Sequence, residues 1–303
     1  MTSRTVCRPA SLAEWQERSQ LIAPLLAESA WYGQAFQPHS SDLFVASFAK
    51  CGGSWLQQIV HGLRTRGDMN VEDVSKAIPC VEVAHYLGLN LAAPQPGDFR
   101  AFKSHLSWTE IPKGGRYIVS FRDPKDALVS FYNFVNGYWW QTDSVSIVEF
   151  ARAHYLVHQD EDWERSYWGH LVSWWEQRPD PHVLLLSYES MEIDLPATVK
   201  TIAGFLGIAL DPALMDLLLK QAPLHFILAR RPKLADSPLQ DVPAKEGSCA
   251  RGDSLVAVND GREGLDPSQL PPEIGAQMDA IWRDTVEARI GLDSYHAVLA
   301  AMT

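Results

Sequence analysis

The chain has little of what marks several protein classes. Only four of its 303 residues are cysteine, Cys7, Cys51, Cys80 and Cys249, with no CxxC pair and no dense spacing. A disulfide scaffold is therefore not expected, and a reducing cytoplasm is the simplest setting. Basic residues are scarce relative to acidic ones, 26 Lys and Arg against 37 Asp and Glu, for a formal net charge of −11. Binding a nucleic-acid backbone needs a broad basic surface, so no nucleic-acid partner is expected and any phosphate site must be a local pocket. No apolar run reaches the length of a membrane span, and MTSRTVCRPASLAEWQERSQ lacks the apolar stretch of a secretory leader, so no membrane partner is expected either. No His/Cys/Asp cluster has metal-ligand spacing, which argues for a site without a metal.

What is present is enough apolar residue, 46%, to bury a substantial core, and one large domain over 1–303 is expected. Leu43 to Ser47 (LFVAS) is a short apolar run rich in β-formers that breaks into Lys50-Cys51-Gly52-Gly53-Ser54. Helical apolar spacing follows from Trp55 to Arg64, so the segment reads strand, glycine turn, helix, with N–H groups at the helix start available to an anion. Arg100 to Ser104, Tyr117 to Phe121 and His182 to Tyr188 read as further strands. Helices are predicted at Asp126 to Phe134, Val145 to Tyr155, Trp163 to Gln177, Leu195 to Leu206, Asp211 to Lys220 and Pro272 to Ile290. Buried strands alternating with helices give an α/β class with a parallel sheet covered on both faces. The stretch 230–267 has no period and is expected to be a mobile lid or a partly disordered loop.

In open parallel sheets ligands collect at the carboxyl ends of the strands. Lys50 and its glycine turn follow the first strand; Lys103-Ser104-His105 the second; Arg122, with Ser130 eight residues on, the third; Tyr188 the fourth. Three cations, hydroxyls, a histidine and an anion-binding turn along one sheet edge describe a polyanion site beside a base. Each piece alone has a blander reading. Lys-x-Gly-Gly-Ser is more often only a turn, and its lysine precedes the glycines, unlike the nucleotide loop G-x-x-x-x-G-K-S/T. His105 could be a structural histidine, and Arg122 could pair with Asp123 or Asp126. Their joint occurrence after successive strands favours the site.

These residues resemble the cytosolic sulfotransferase family. Ser47-Phe48-Ala49-Lys50-Cys51-Gly52-Gly53-Ser54-Trp55 is similar to that family's 5′-phosphosulfate loop TYPKSGTTW, and Phe102-Lys103-Ser104-His105-Leu106 to its FKTHL segment. Arg122-Asp123-Pro124-Lys125-Asp126-Ala127-Leu128-Val129-Ser130-Phe131-Tyr132 resembles the 3′-phosphate segment RNPKDVAVSYY. Ser187-Tyr188-Glu189-Ser190-Met191 and Ile202 to Gly207 are similar to the YEDM and FLG elements.

The resemblance implies a transfer of a sulfuryl group from 3′-phosphoadenosine-5′-phosphosulfate to a small-molecule hydroxyl or amine. Lys50, Cys51, Gly52, Gly53 and Ser54 would cradle the 5′-phosphosulfate, Trp55 and Tyr188 would border the adenine with Leu224 nearby, and Arg122 and Ser130 would hold the 3′-phosphate. His105 would be the base, Lys50 the cation on the leaving oxygen, Lys103 its assistant, and Phe134 an acceptor-facing side chain. The chain departs from the pattern at Gly53-Ser54, where the family has Thr-Thr, and in lacking the Arg-Lys-Gly motif near the C-terminus. Arg262 and Gly264 are the best substitutes by position, with Lys245-Glu246-Gly247 and Arg251-Gly252 also open. The family's dimerisation element is not recognisable. A small-molecule kinase and a non-catalytic nucleotide-binding module are the rival readings; the lysine before the glycines weighs against the first, and the presence of both Lys50 and His105 against the second.

Overall fold

Leu43–Ser47 is buried at all five positions, and a strand without a polar face is stable only when both sides are covered. In the computed structural model, which describes residues 8–68, 70, 74–138, 140–157, 163–222 and 266–302, it is the inner strand β1 of a four-stranded sheet. The others are β2 (Ala101–Ser104), β3 (Arg116–Phe121) and β4 (Val183–Ser187). The order is β2-β1-β3-β4 and every pairing is parallel, with Val45 opposite both Lys103 and Ile118 and Ser47 opposite Ser120. All four predicted strands are present within a residue of their expected bounds.

Side chains alternate across the sheet and divide the core in two. Phe44 and Ala46 pack with Phe102, Tyr117 and Val119 on one face; Leu43 and Val45 pack with Ala101 and Ile118 on the other. Helices α2 (Gly53–Arg64), α8 (Leu195–Leu206) and α9 (Pro212–Gln221) contribute to the second face. Helices α4 (Pro124–Tyr138) and α6 (Tyr167–Trp175) cover the first, together with Pro272–Trp282. Trp168, Trp174 and Trp175 are core residues there; the aromatic helices pack against the sheet, as large buried aromatics generally do.

Three predicted helices differ in detail. The helix expected at 145–155 is a short α-turn, Ile147–Phe150, running into a wider π-turn, Ala151–Tyr155. The one expected at 163–177 begins as a 3-10 turn and becomes regular at Tyr167, where the Ser166 hydroxyl caps the Gly169 N–H. The one expected at 272–290 loosens into a π-turn at Arg283–Glu287. Four of the described α-helices lie outside the sequence expectations, α1 (Leu12–Gln34), α3 (Val74–Ala77), α7 (Tyr188–Ile193) and Tyr295–Met302. No described helix is long and apolar enough to cross a membrane.

The chain leaves β1, returns beside it as β2, then crosses to its other side as β3. The direction of winding reverses at β1, and the crevice beyond its carboxyl end is where such sheets take ligands.

Candidate active site

The turn after β1 is braced by hydroxyls from two strands. Ser47 Oγ lies 2.9 Å from Ser120 Oγ, and the Ser120 hydroxyl donates to the Cys51 carbonyl. Lys50 and Gly52 are both left-handed, at φ +67° and +97°. At Gly52 a side chain is barred twice over, because a Cβ there would sit 2.8 Å from Met191 Cε and 3.2 Å from both Ser120 Oγ and Tyr188 Cδ2. Helix α2 starts at Gly53 with no side-chain cap, and its first helical bond runs from Leu56 N–H to Gly52 C=O at 3.0 Å. The first-turn N–H groups have no helical carbonyl to donate to, and the dipole favours an anion at that end. Burial pushes the Cys51 thiol up to about 12, so it is a packed, protonated side chain in the cradle wall.

His105 follows β2. Its Nδ1 lies 2.6 Å from the Ser47 carbonyl oxygen, and a carbonyl can only accept, so Nδ1 carries the hydrogen and Nε2 the lone pair. The residue keeps an exposed face, while protein packed around the ring pushes it down to about 4. Lys103 adds to that push, and Glu82 and the Ser47 bond oppose it. An open face on a crowded ring is what a side chain lining a cleft shows; water moderates the size of the effect, and its direction keeps the imidazole neutral near pH 7. Lys103 is held by backbone bonds on both sides, N–H to Pro79 C=O at 2.9 Å and C=O from Val81 N–H at 3.0 Å. Its Cε comes within 3.7 Å of where a Cβ on Gly53 would stand, so the lysine reaches the glycine turn.

Arg122 ends β3. Its Nη1 donates to the Lys50 carbonyl at 3.1 Å and its guanidinium lies 4.1 Å from the Tyr188 ring centroid. Nε is buried with no hydrogen-bond partner. Among the described residues Arg122 forms no ion pair with a carboxylate; Asp123 instead caps the Lys125 N–H at 2.8 Å. The pairing with Asp123 or Asp126 left open by the sequence is not formed. Tyr188 also meets Trp55 edge to face at 5.6 Å between centroids, and Lys50 Nζ lies 4.5 Å over the Phe134 ring. Ser130 stands half-buried two turns into α4, the helix that leaves the same strand end as Arg122. Lys50, the glycine turn, Lys103, His105, Arg122, Trp55, Tyr188 and Phe134 thus converge, whereas Leu224, Arg262, Gly264 and nearly all of 230–267 lie outside the described residues.

Two further contributors, Glu82 and His170, carried no signal in the sequence, and Glu189 entered only as part of the YEDM-like segment. Glu82 accepts from the His105 backbone N–H. Glu189 accepts from the Asp123 N–H at 2.9 Å and the Tyr295 hydroxyl at 2.7 Å, tying the last helix to the end of β3. His170 is buried in α6, pushed down to about 3 by burial and then by His105.

A family profile described as the sulfotransferase domain matches residues 40–227, well over half of the chain and all of the strand-end motifs. The chain belongs to the sulfotransferase domain family. Mouse sulfotransferase 4A1 is 28% identical over 201 residues, 61% of this chain and 66% of the relative. The luciferin sulfotransferase of Photinus pyralis is 29% identical over 218 residues, 62% and 56% of the two chains. The match thus spans 66% and 56% of the length of these two curated relatives, less than two thirds of either. Among solved structures, mouse sulfotransferase SULT7A1 complexed with PAP aligns at TM-score 0.60 and 18% identity over 85% of this chain and 89% of that one. A likeness at that identity is a likeness of fold.

Proposed function

We propose that this sulfotransferase-family chain transfers a sulfuryl group from 3′-phosphoadenosine-5′-phosphosulfate to a hydroxyl or amine of a small acceptor, in the cytoplasm and without a metal. The observation that carries the reading is the Nδ1 bond of His105 to the Ser47 carbonyl, 2.6 Å, because it fixes the unprotonated Nε2 tautomer beside the same turn whose N–H groups suit an anion. The residues fit a doubly phosphorylated donor. Gly52 packs against Met191, Ser120 and Tyr188 with no room for a Cβ, which keeps the turn in its left-handed form, and Arg122 carries a buried Nε with no partner, a donor that a phosphate can satisfy.

Roles follow from where charge develops. His105 Nε2 takes the acceptor proton as the acceptor oxygen or nitrogen bonds to sulfur and the bond from sulfur to the bridging oxygen breaks, releasing adenosine 3′,5′-bisphosphate. Lys50 offsets the charge gathering on that bridging oxygen, with Lys103 across the transferring group. A positioned base contributes about a hundred- to ten-thousandfold, and orientation and electrostatics the rest. Arg122 and Ser130 hold the 3′-phosphate; Trp55 and Tyr188 bound the adenine. Arg262 and Gly264 for the 3′-phosphate and Leu224 for the adenine rest on the family resemblance alone.

Two measurements test this reading. Titration with adenosine 3′,5′-bisphosphate is expected to show binding at least tenfold tighter than ATP, and labelled phosphosulfate offered with a panel of phenols, alcohols and amines is expected to yield a sulfated product. Preference for ATP would instead make the chain a phosphotransferase, and binding with no transfer across the panel would make it a nucleotide-binding module.

A further inference from the structure

Resting on that reading, we propose that Glu82 is a positioning residue for His105: its carboxylate fixes the backbone turn at Ser104–His105 and supplies the negative charge beside the ring. One oxygen, Oε1, accepts both from the His105 backbone N–H and from the buried Ser104 hydroxyl, the latter at 3.1 Å. The other, Oε2, accepts from the Cys80 thiol at 3.1 Å. Ser104 Oγ in turn accepts from the Leu106 N–H at 3.0 Å. One carboxylate therefore braces the end of β2 directly and through a hydroxyl.

Glu82 is itself anchored. The segment before it pairs with β2 as a short edge, through a bridge between Cys80 and Lys103 flanked by bonds of 2.9 and 3.0 Å. His105 is thus held at two points on different sides of the residue, by Glu82 at its backbone N–H and by the Ser47 carbonyl at Nδ1. Two attachments set both the Cα position and the ring rotation, which leaves the Nε2 lone pair in one place.

The same carboxylate acts through space. The charged and titratable groups at the ring are Lys103 from β2, Glu82 from the edge segment and His170 from α6. Lys103 disfavours the imidazolium that forms when His105 takes the acceptor proton, and Glu82 favours it. Without the carboxylate only the Ser47 bond is left to offset the lysine, and the base weakens.

The test uses the full chain, isotope-labelled at histidine and carrying Glu82→Gln or Glu82→Ala. The glutamine keeps an oxygen for the N–H and the hydroxyl and loses the charge; the alanine loses both. In Glu82→Gln the His105 titration midpoint read by NMR is expected to fall by about half a unit or more, with kcat at neutral pH down about three- to tenfold. In Glu82→Ala kcat is expected to fall about ten- to a hundredfold, and in both variants affinity for adenosine 3′,5′-bisphosphate should stay within about threefold. An unshifted midpoint together with unchanged kcat overturns the proposal, and should the alanine variant not fold, the glutamine variant decides alone. The midpoint needs no acceptor, so the two readings separate. A shifted midpoint in a chain that transfers no sulfuryl group supports the coupling of Glu82 to His105 and overturns the proposed function.

Discussion

Lys50 Nζ stands 4.5 Å above the centre of the Phe134 ring, so the lysine assigned to the donor and the aromatic assigned to the acceptor touch each other. A cation over an aromatic face is stabilised by roughly 0.5 to 2 kcal/mol depending on its desolvation, enough to hold a flexible lysine in one rotamer. Phe134→Ala is therefore expected to raise the acceptor KM and also to lower kcat by about two- to thirtyfold, the range that energy covers. Affinity for adenosine 3′,5′-bisphosphate should change by less than about threefold. Steady-state kinetics paired with calorimetric titration reads all three, and a change in KM alone would separate the ring from the lysine.

His105 presents a different problem. As the proposed base it is held below the ordinary histidine range in the free protein by burial and Lys103, and catalysis favours a base nearer the working pH. An anionic donor placed beside the ring stabilises the imidazolium, so binding adenosine 3′,5′-bisphosphate is expected to raise the NMR midpoint of His105. The acid limb of kcat should accordingly lie at higher pH than that of kcat/KM, since the first reports the bound enzyme and the second the free one. His105→Ala should lose about a hundred- to ten-thousandfold in kcat with bisphosphate affinity nearly intact; an active alanine variant removes the assigned role.

Arg122 has two jobs that a single substitution can separate. It braces the turn through the Lys50 carbonyl at 3.1 Å, and it offers a partnerless buried Nε. Arg122→Lys is expected to weaken adenosine 3′,5′-bisphosphate by about ten- to a hundredfold, because a lysine cannot reproduce the planar donor set. Binding of adenosine 5′-monophosphate, which has no 3′-phosphate, should weaken far less. Equal losses for the two nucleotides would assign Arg122 to the turn alone.

How much of this could be read in the sequence depended on how local the signal was. Leu43–Ser47 is buried on both faces, and a two-sided strand announces itself as an unbroken apolar run. The glycine turn was equally visible, since the left-handed φ at Gly52 and the crowding around it demand the residue type seen. Helix α1 was not visible: it exposes Leu21, Leu25, Trp31 and Tyr32 while burying Arg18 and Ser29, which erases the apolar stripe that sequence patterns rely on. Glu82 was hidden for another reason. It acts from an irregular segment joined to the sheet by one isolated bridge, and the partners of such a segment are set by tertiary packing.

Gly52 allows a test of the cradle itself. Alanine there must adopt φ +97° and push against Met191 and Tyr188. Strain of about 1 to 3 kcal/mol is expected in the unfolding free energy, together with loss of bisphosphate binding. Gly204→Ala, in an open position on α8, should be neutral or mildly stabilising. A chemical melt of the two variants beside the parent measures the contrast, and equal stabilities would mean that the turn is not constrained as seen.

Acid stability follows from the buried histidines. His61 and His170 are both buried, and burial pushes them down to about 4 and about 3, helped by Arg64 in the first case and His105 in the second. In the unfolded chain each takes a proton near pH 6.5. Below that pH the unfolded state binds protons that the folded state refuses, so stability declines as pH falls from about 6.5 toward 4, and the slope is positive in pH throughout that window. Carboxylates held low by hydrogen bonds, such as Asp211, add a loss of the same sign further down, as pH falls from the ordinary carboxylate range toward their lowered values. The urea midpoint should therefore drop measurably between pH 7.5 and pH 5, on the order of 1 kcal/mol per histidine. His170→Phe, which removes a ring whose buried Nε2 has no partner, should flatten the curve. A midpoint constant over that interval would mean that these rings accept protons without unfolding.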